Sequence, residues 1–160
     1  MVGAARRGDS AAFGELYRRF FRMVHGVLLA RVPPADVEDL AQEVFLLAWR
    51  RLPALREPLA FGGWLRQIAL RQSADHLRRG HSTEPLDSSA AAPNNAPSWF
   101  LLAEVRRLPE AYRDTLVMRF VEGLTGPEIA GLTGLTPGSV RVNLHRGVEL
   151  LRARLKGGTR

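Results

Sequence analysis

Residues 125–148 read TGPEIAGLTGLTPGSVRVNLHRGV, and this stretch decides the fold. Thr125 stands three residues before Glu128, with Gly126-Pro127 between them. That is the form of a capping box, with a hydroxyl at the N-cap, a carboxylate at the third helical position and a proline in the first turn. The helix it opens carries Ile129, Ala130 and Leu132 and ends after two turns at Gly134. Thr136-Pro137 then caps a longer helix with Val140, Leu144, Val148, Leu151 and Leu155 on one stripe. A short helix, a tight turn containing glycine and a longer second helix make a helix-turn-helix, whose second helix enters the major groove of DNA.

The other face of that second helix holds Ser139, Arg141, Val142, Asn143 and Arg146, with Thr136 at its start. Asn and Arg are the side chains that read adenine and guanine edges bidentately, and the N-terminal end of a recognition helix supplies the base contacts. The plain alternative is a solvated face, which any amphipathic helix has. Arg152, Arg154 and Lys156 lie farther down and suit phosphate or the helix dipole better than base edges.

Upstream, the pattern stays helical. Leu101–Leu108 is a short helix stopped by Pro109, and Glu110–Glu122 is a second, with Leu116, Val117 and Phe120 inside and Gly123 after its end. In the first half, Ser10–Ala30 repeats Phe13, Leu16, Tyr17, Phe20, Val24, Val27 and Leu28 at helical spacing, and Pro33-Pro34 stops it. Asp36–Leu52 follows, with Asp36 as a plausible N-cap, and Pro58 opens a helix running to about Arg79. No stretch alternates as a strand would. Between the halves, Gly80–Pro97 (GHSTEPLDSSAAAPNNAP) has no apolar period and reads as a flexible linker. The expectation is all-α: a helical bundle over 8–79, a flexible linker over 80–97 and a helix-turn-helix domain over 98–160.

Charge sharpens the reading. The 160 residues include 22 Arg, one Lys and 16 acids, for a net +7. Residues 1–79 carry +5 (13 Arg, 8 acids), residues 80–97 carry −2 and residues 98–160 carry +4 (10 basic, 6 acidic). Codon bias toward Arg explains the total, but two positive bodies on an acidic connector suit two contacts on one polyanion. Against this background Asp36, Glu38, Asp39 and Glu43 put four acids within eight residues. That face would repel phosphate, so it calls for solvent or a basic protein partner.

Other classes drop out. No window approaches 18 uncharged apolar residues and the first ten residues lack a secretory apolar run, so no membrane insertion is expected and the cytoplasm is. There is no cysteine, and His25, His76, His81 and His145 are scattered, so neither a disulfide framework nor a metal site is expected. No phosphate loop or nucleophile elbow occurs, so no enzyme and no cofactor are expected.

These residues resemble the extracytoplasmic-function (ECF) class of bacterial sigma factors, built from regions two and four of the sigma-70 family. Asp36-Val37-Glu38-Asp39-Leu40-Ala41-Gln42-Glu43-Val44-Phe45 is similar to the family's D-x-x-D-L-x-Q-E-V-F stretch. Phe61, Trp64-Leu65, Ile68-Ala69, Asp75 and Arg78-Arg79 resemble the next helix. Leu108-Pro109, Glu128-Ile129-Ala130, Gly134, Ser139-Val140 and Arg146 resemble region four. The likeness covers about 8–80 and 98–156.

The resemblance implies roles that spacing does not. Asp36, Asp39, Leu40, Gln42 and Glu43 would bind the β′ clamp helices of core RNA polymerase, and the β flap would be a second polymerase contact. Arg56 in the preceding loop, with Arg66, Arg71, Arg78 and Arg79, would engage the −10 promoter element. Thr136, Ser139, Arg141, Val142, Asn143 and Arg146 would read the −35 element, and an anti-sigma factor is a further implied partner. Three places depart from the family pattern: Leu70-Arg71 where Arg-Asn is usual, Val142-Asn143 for a common Ser-Arg pair, and Gly147 for a usual Ala. A glycine inside a helix costs roughly 1 kcal/mol in propensity, and Gly147 is expected to weaken its helix by that amount. Two other readings compete: a stand-alone helix-turn-helix regulator, and a sigma-like protein that only binds polymerase or a regulator.

Overall fold

Asp9 opens the first long helix in the way its side chain favours: the carboxylate accepts a hydrogen bond from the Ala12 N–H at 3.0 Å. The structure, a computed structural model, describes residues 1–80 and 96–157. Residues 81–95 of the expected linker and the last three residues lie outside the described part. Among the described residues there are eight α-helices and no strand.

The N-terminal half holds α1 (Val2–Arg6), α2 (Ser10–Leu29), α3 (Val37–Arg51) and α4 (Phe61–Gly80). The sequence places α2, α3 and α4 within a few residues of these bounds. Single 3-10 turns at Pro34–Asp36 and Pro58–Ala60 lead into α3 and α4, because proline pre-sets the first turn and cannot continue a preceding helix. Met23, Val24, Val27 and Leu28 of α2 are buried with Leu40, Ala41, Val44 and Ala48 of α3 and Leu65, Ile68 and Ala69 of α4. Each such Leu, Val or Ile side chain stabilises the core by about 1.5–3 kcal/mol. The short α1 precedes the expected start of the bundle at residue 8; it packs on α2 and buries Ala5.

The C-terminal half holds α5 (Ala96–Arg106), α6 (Glu110–Phe120), α7 (Gly126–Thr133) and α8 (Pro137–Gly157). Helix α5 begins inside the segment read as linker, with Pro97 in its first turn, where a missing N–H is harmless. Phe120, expected inside, is 66% exposed. It is the last residue of α6, and Gly123 (φ +67°) turns the chain back so that Leu124 enters the core in its place. The capping box at Thr125 is formed in both directions, and Gly134 ends α7 with φ +78°.

Helices α2 and α4 pack against α6 and α7, so the two halves share one apolar core. Two glycines permit this. A Cβ on Gly26 would sit 3.1 Å from Glu122 Cγ and 3.3 Å from Met118 Cγ. A Cβ on Gly62 would collide with the Leu132 carbonyl oxygen. Gly147 has a similar use within the C-terminal half: it is buried, and a Cβ there would meet Leu116 Cδ1 at 3.0 Å and Tyr112 Cβ at 3.2 Å. The propensity lost at Gly147 is therefore the condition for α8 to lie close on α6.

Candidate functional site

Helix α3 buries Val37, Leu40, Ala41 and Val44 and turns Glu38, Asp39, Gln42 and Glu43 outward. Helical periodicity alone produces this split, since the two sets interleave at i, i+3 and i+4. The outward four make an exposed acidic strip. Leu40, grouped with them in the family motif, is 3% exposed and holds the strip in place from below. Asp36 is half-buried and does not act as a side-chain cap. Its backbone is already helical (φ −96°, ψ −11°), whereas a capping residue needs an extended one. Its carboxylate instead pairs with His76 Nε2 at 2.9 Å, tying the start of α3 to the last turns of α4.

The arginines read as a −10 set do not form one surface. Arg71, Arg78 and Arg79 are exposed along the second half of α4, with Arg78 paired to Asp75 and the Arg79 Nε–H donating to the Asp75 carbonyl at 3.4 Å. Arg56 is exposed on the loop before α4. Arg66 points the other way, into the seam between the halves, where its Nη2 donates to Asp114 Oδ2 at 2.9 Å.

Helix α8 begins as the sequence suggests: Thr136 Oγ1 accepts from the Ser139 N–H at 3.1 Å, and its hydroxyl bonds Ser139 Oγ at 2.8 Å. Ser139, Arg141, Val142 and Arg146 are exposed. Asn143 is half-buried and lines a cavity of about 70 Å³ together with Arg66, Asp114, Thr115 and Ile129. It lies three residues after Val140 and four before Gly147, both buried. Gly147 carries no apolar side chain, so the inward stripe looks narrower in the sequence than it is, and Asn143 falls at its edge.

Sequence reasoning missed the groups that close the seam. Asp114 of α6 is 3% exposed. Arg31, just past α2, grips it with both prongs: Nη1 to Oδ1 at 2.6 Å and Nη2 to Oδ2 at 2.9 Å. Glu110 adds its carboxylate 3.3 Å from Arg31 and 3.7 Å from Arg66. From α5, Arg106 donates to the Leu29 carbonyl (3.0 and 2.8 Å) and the Val32 carbonyl (2.7 Å), satisfying acceptors that the end of α2 leaves free. Burial pushes the Arg106 guanidinium below its usual range, and nearby Arg113 adds to this. At the other end of the seam His25 Nδ1 lies 2.5 Å from Glu122 Oε1. That hydrogen bond, helped by the charges of Glu122 and Glu38, raises the His25 pKa despite its burial. The partners lie 48 to 97 residues apart, and no local period marks them.

Among the described residues no group of three or more His, Asp and Glu is placed to hold a metal ion, and no helix is long and apolar enough to cross a membrane.

Comparison with known proteins matches two stretches of the chain. Residues 16–83 match the family described as Sigma-70 region 2, and residues 101–151 match that described as Sigma-70, region 4. The ECF RNA polymerase sigma-E factor of Escherichia coli (strain K12) is 30% identical over 172 residues, covering 94% of this chain and 90% of that protein. The ECF RNA polymerase sigma factor BldN of Streptomyces coelicolor is 31% identical over 169 residues, covering 94% of this chain and 63% of that protein. The probable RNA polymerase sigma factor RfaY of Xanthomonas campestris pv. campestris is 32% identical over 169 residues, but this chain spans only 42% of its length. In fold, the chain is similar to the solved structure of CnrH in complex with the cytosolic domain of CnrY (TM-score 0.67, 24% identity, 99% of this chain and 96% of that one). Both sigma regions are matched in order, and an ECF factor aligns over nine-tenths of its own length; this chain belongs to the ECF class of RNA polymerase sigma factors.

Proposed function

We propose that the chain joins core RNA polymerase as a dissociable subunit and selects the promoter, working in the cytoplasm and doing no chemistry of its own. The observation that carries this reading is the segregation of exposed charge. Glu38, Asp39 and Glu43 form an acidic strip on α3, while Arg71, Arg78 and Arg79 on α4 and Arg141 and Arg146 on α8 are exposed elsewhere. Opposite charges on separate faces suit a protein partner on one side and a polyanion on the other. The acidic strip would take the β′ clamp helices, α4 and the loop carrying Arg56 the −10 element, and α8 the −35 element. The β flap would hold the C-terminal half, and an anti-sigma protein would compete for these surfaces. The stand-alone regulator reading has no use for the acidic strip.

Reconstitution with purified core polymerase tests the proposal. The chain should bind core and start run-off transcription from a subset of a promoter library. The double substitution Asp39→Lys/Glu43→Lys should abolish core binding and leave helicity unchanged, because both side chains are exposed. Retained core affinity in that variant refutes the role given to α3. Core binding without promoter-dependent initiation would support the reading as a polymerase-binding protein alone.

A further inference from the structure

Arg6 and Arg7 close α1, the short helix that lies upstream of the stretch matched to Sigma-70 region 2 (residues 16–83). This helix is docked rather than loose. Ala5 is 3% exposed, and α1 packs both on α2 and on the 3-10 turn Leu52–Ala54 that follows α3. From the other side, the ring centroids of Phe13 and Trp49 are 4.7 Å apart, which ties the start of α2 to the last turn of α3. Arg50 and Arg51 end α3 just before the Leu52–Ala54 turn, and Arg56 comes just after it. Five arginines from two distant stretches of sequence therefore meet round one turn.

We propose that this corner is a further phosphate-binding surface, in which α1 brings Arg6 and Arg7 to the sugar-phosphate backbone of promoter DNA beside the −10 element. The inference rests on the promoter-selecting role above. Arg7, Arg50, Arg51 and Arg56 are exposed and Arg6 is half-buried, and none of them makes a hydrogen bond or ion pair with a described residue. In this they differ from Arg31, Arg66 and Arg106, whose guanidinium groups are engaged inside the molecule. No acid occurs among residues 1–8 or 50–56. The nearest in sequence, Asp9 and Glu57, turn their carboxylates to the backbone N–H groups of Ala12 (3.0 Å) and Leu59 (3.2 Å). The helix dipole favours a cation at the end of α1 and another at the end of α3, but not a whole cluster round one turn. Unpaired positive charge so concentrated attracts a polyanion. Its position selects DNA. Arg56 is followed closely by the Pro58–Ala60 turn and α4, which rises about 30 Å to the end that carries Arg78 and Arg79. That is close to one turn of B-DNA, about 34 Å. The corner and the far end of α4 would thus meet phosphates about one turn apart. Cations at helix ends, outside any helix that enters a groove, hold phosphate rather than base edges, so the corner adds affinity and not sequence choice.

The test uses holoenzyme assembled from the full-length chain and core polymerase, with promoter affinity measured from about 50 to about 200 mM salt. Each phosphate contact contributes about 0.9 to the slope of log affinity against log salt. Arg6→Gln/Arg7→Gln should lower that slope by about two units, so the parent's advantage over the variant should shrink about tenfold across this range. Arg50→Gln/Arg51→Gln, on the other side of the turn, should do the same. Both losses should be equal on promoters that differ in the −10 sequence, and core binding should be unchanged. Arg6→Lys/Arg7→Lys should keep the parent slope, because a point charge serves a phosphate. Parallel salt lines for the parent and both Gln variants overturn the proposal, as does a loss confined to one −10 sequence. So does an unchanged DNA slope with lost binding to vesicles of anionic lipid, which would turn the corner toward a membrane. If the parent fails to bind core, the promoter-selecting role falls and the slopes are read on the free chain with duplex DNA. A difference there keeps the phosphate surface, and no difference overturns it too.

Discussion

Arg31 and Asp114 are 83 residues apart in sequence and joined by two parallel hydrogen bonds, of 2.6 and 2.9 Å, in a place almost closed to water. Breaking a buried pair from one side leaves an uncompensated charge, at a cost of about 3–5 kcal/mol. Asp114→Ala and Arg31→Ala should each lower the stability of the folded chain strongly in chemical denaturation. Their double-mutant cycle should give a coupling energy of about 2–3 kcal/mol. A coupling near zero would mean that Arg66 and Glu110 replace the missing partner.

Titration of His25 predicts a direction with pH. Its pKa is raised in the folded chain, first by the hydrogen bond to Glu122 and then by the charges of Glu122 and Glu38. A raised value means that protonated His25 stabilises the folded form. That contribution is complete below the ordinary histidine value of about 6.5 and is lost as pH climbs through the raised one. The melting temperature should therefore fall across that window, and His25→Gln should flatten the fall.

Gly147→Ala sets two effects against each other. Helix propensity favours alanine by roughly 1 kcal/mol, while crowding a packed interface costs typically about 1–3 kcal/mol. The new methyl would meet Leu116 Cδ1 at 3.0 Å and the Tyr112 Cβ at 3.2 Å, and Leu116 is 2% exposed with little room to move. The net change should be a loss of about 1 kcal/mol, read as a lower melting temperature. A gain would show that Leu116 moves aside.

The capping box offers a cleaner measurement. Thr125 accepts from the Glu128 N–H at 3.4 Å, while its own N–H donates to Glu128 Oε2 at 2.7 Å. Thr125→Ala removes the first bond and should cost about 0.5–2 kcal/mol of stability. Unchanged stability would mean that water serves the exposed N–H equally well.

For sequence readout, holoenzyme binding separates two neighbours on α8. Arg146 is exposed, and Arg146→Ala should weaken all promoters alike and reduce the salt slope by about one unit. Asn143→Ala should cost about 1–3 kcal/mol at a single base pair of the −35 element. An equal loss across all sequences would place Asn143 outside the reading face.

The helices were legible because each carries its own period and punctuation. Ser10, Pro58, Thr125, Gly134 and Thr136-Pro137 mark ends that the structure reproduces within a residue or two. Asp36 misled because an acid before an apolar period looks like a cap, while a proline-led turn had already made its backbone helical. Pro97 misled in the opposite sense, reading as linker where it opens α5. The exposed arginines and the acidic strip followed from periodicity. Arg66 did not, because a charged residue on a helix gives no local sign of a buried carboxylate 48 positions ahead. Neither Gly26 nor Gly62 announces a neighbour, since the reason for each glycine lies in the other half of the molecule.

The order in which a ribosome makes the chain gives that separation a time. Arg66 emerges 48 residues before the carboxylate that will hold it. At about 5–20 residues per second this interval lasts roughly 2–10 s. Every newly made molecule thus passes through a few seconds in which the acidic strip of α3 has been made and Asp114 does not yet exist. In that interval Arg31 and Arg66 have been made without the carboxylate that both will bond.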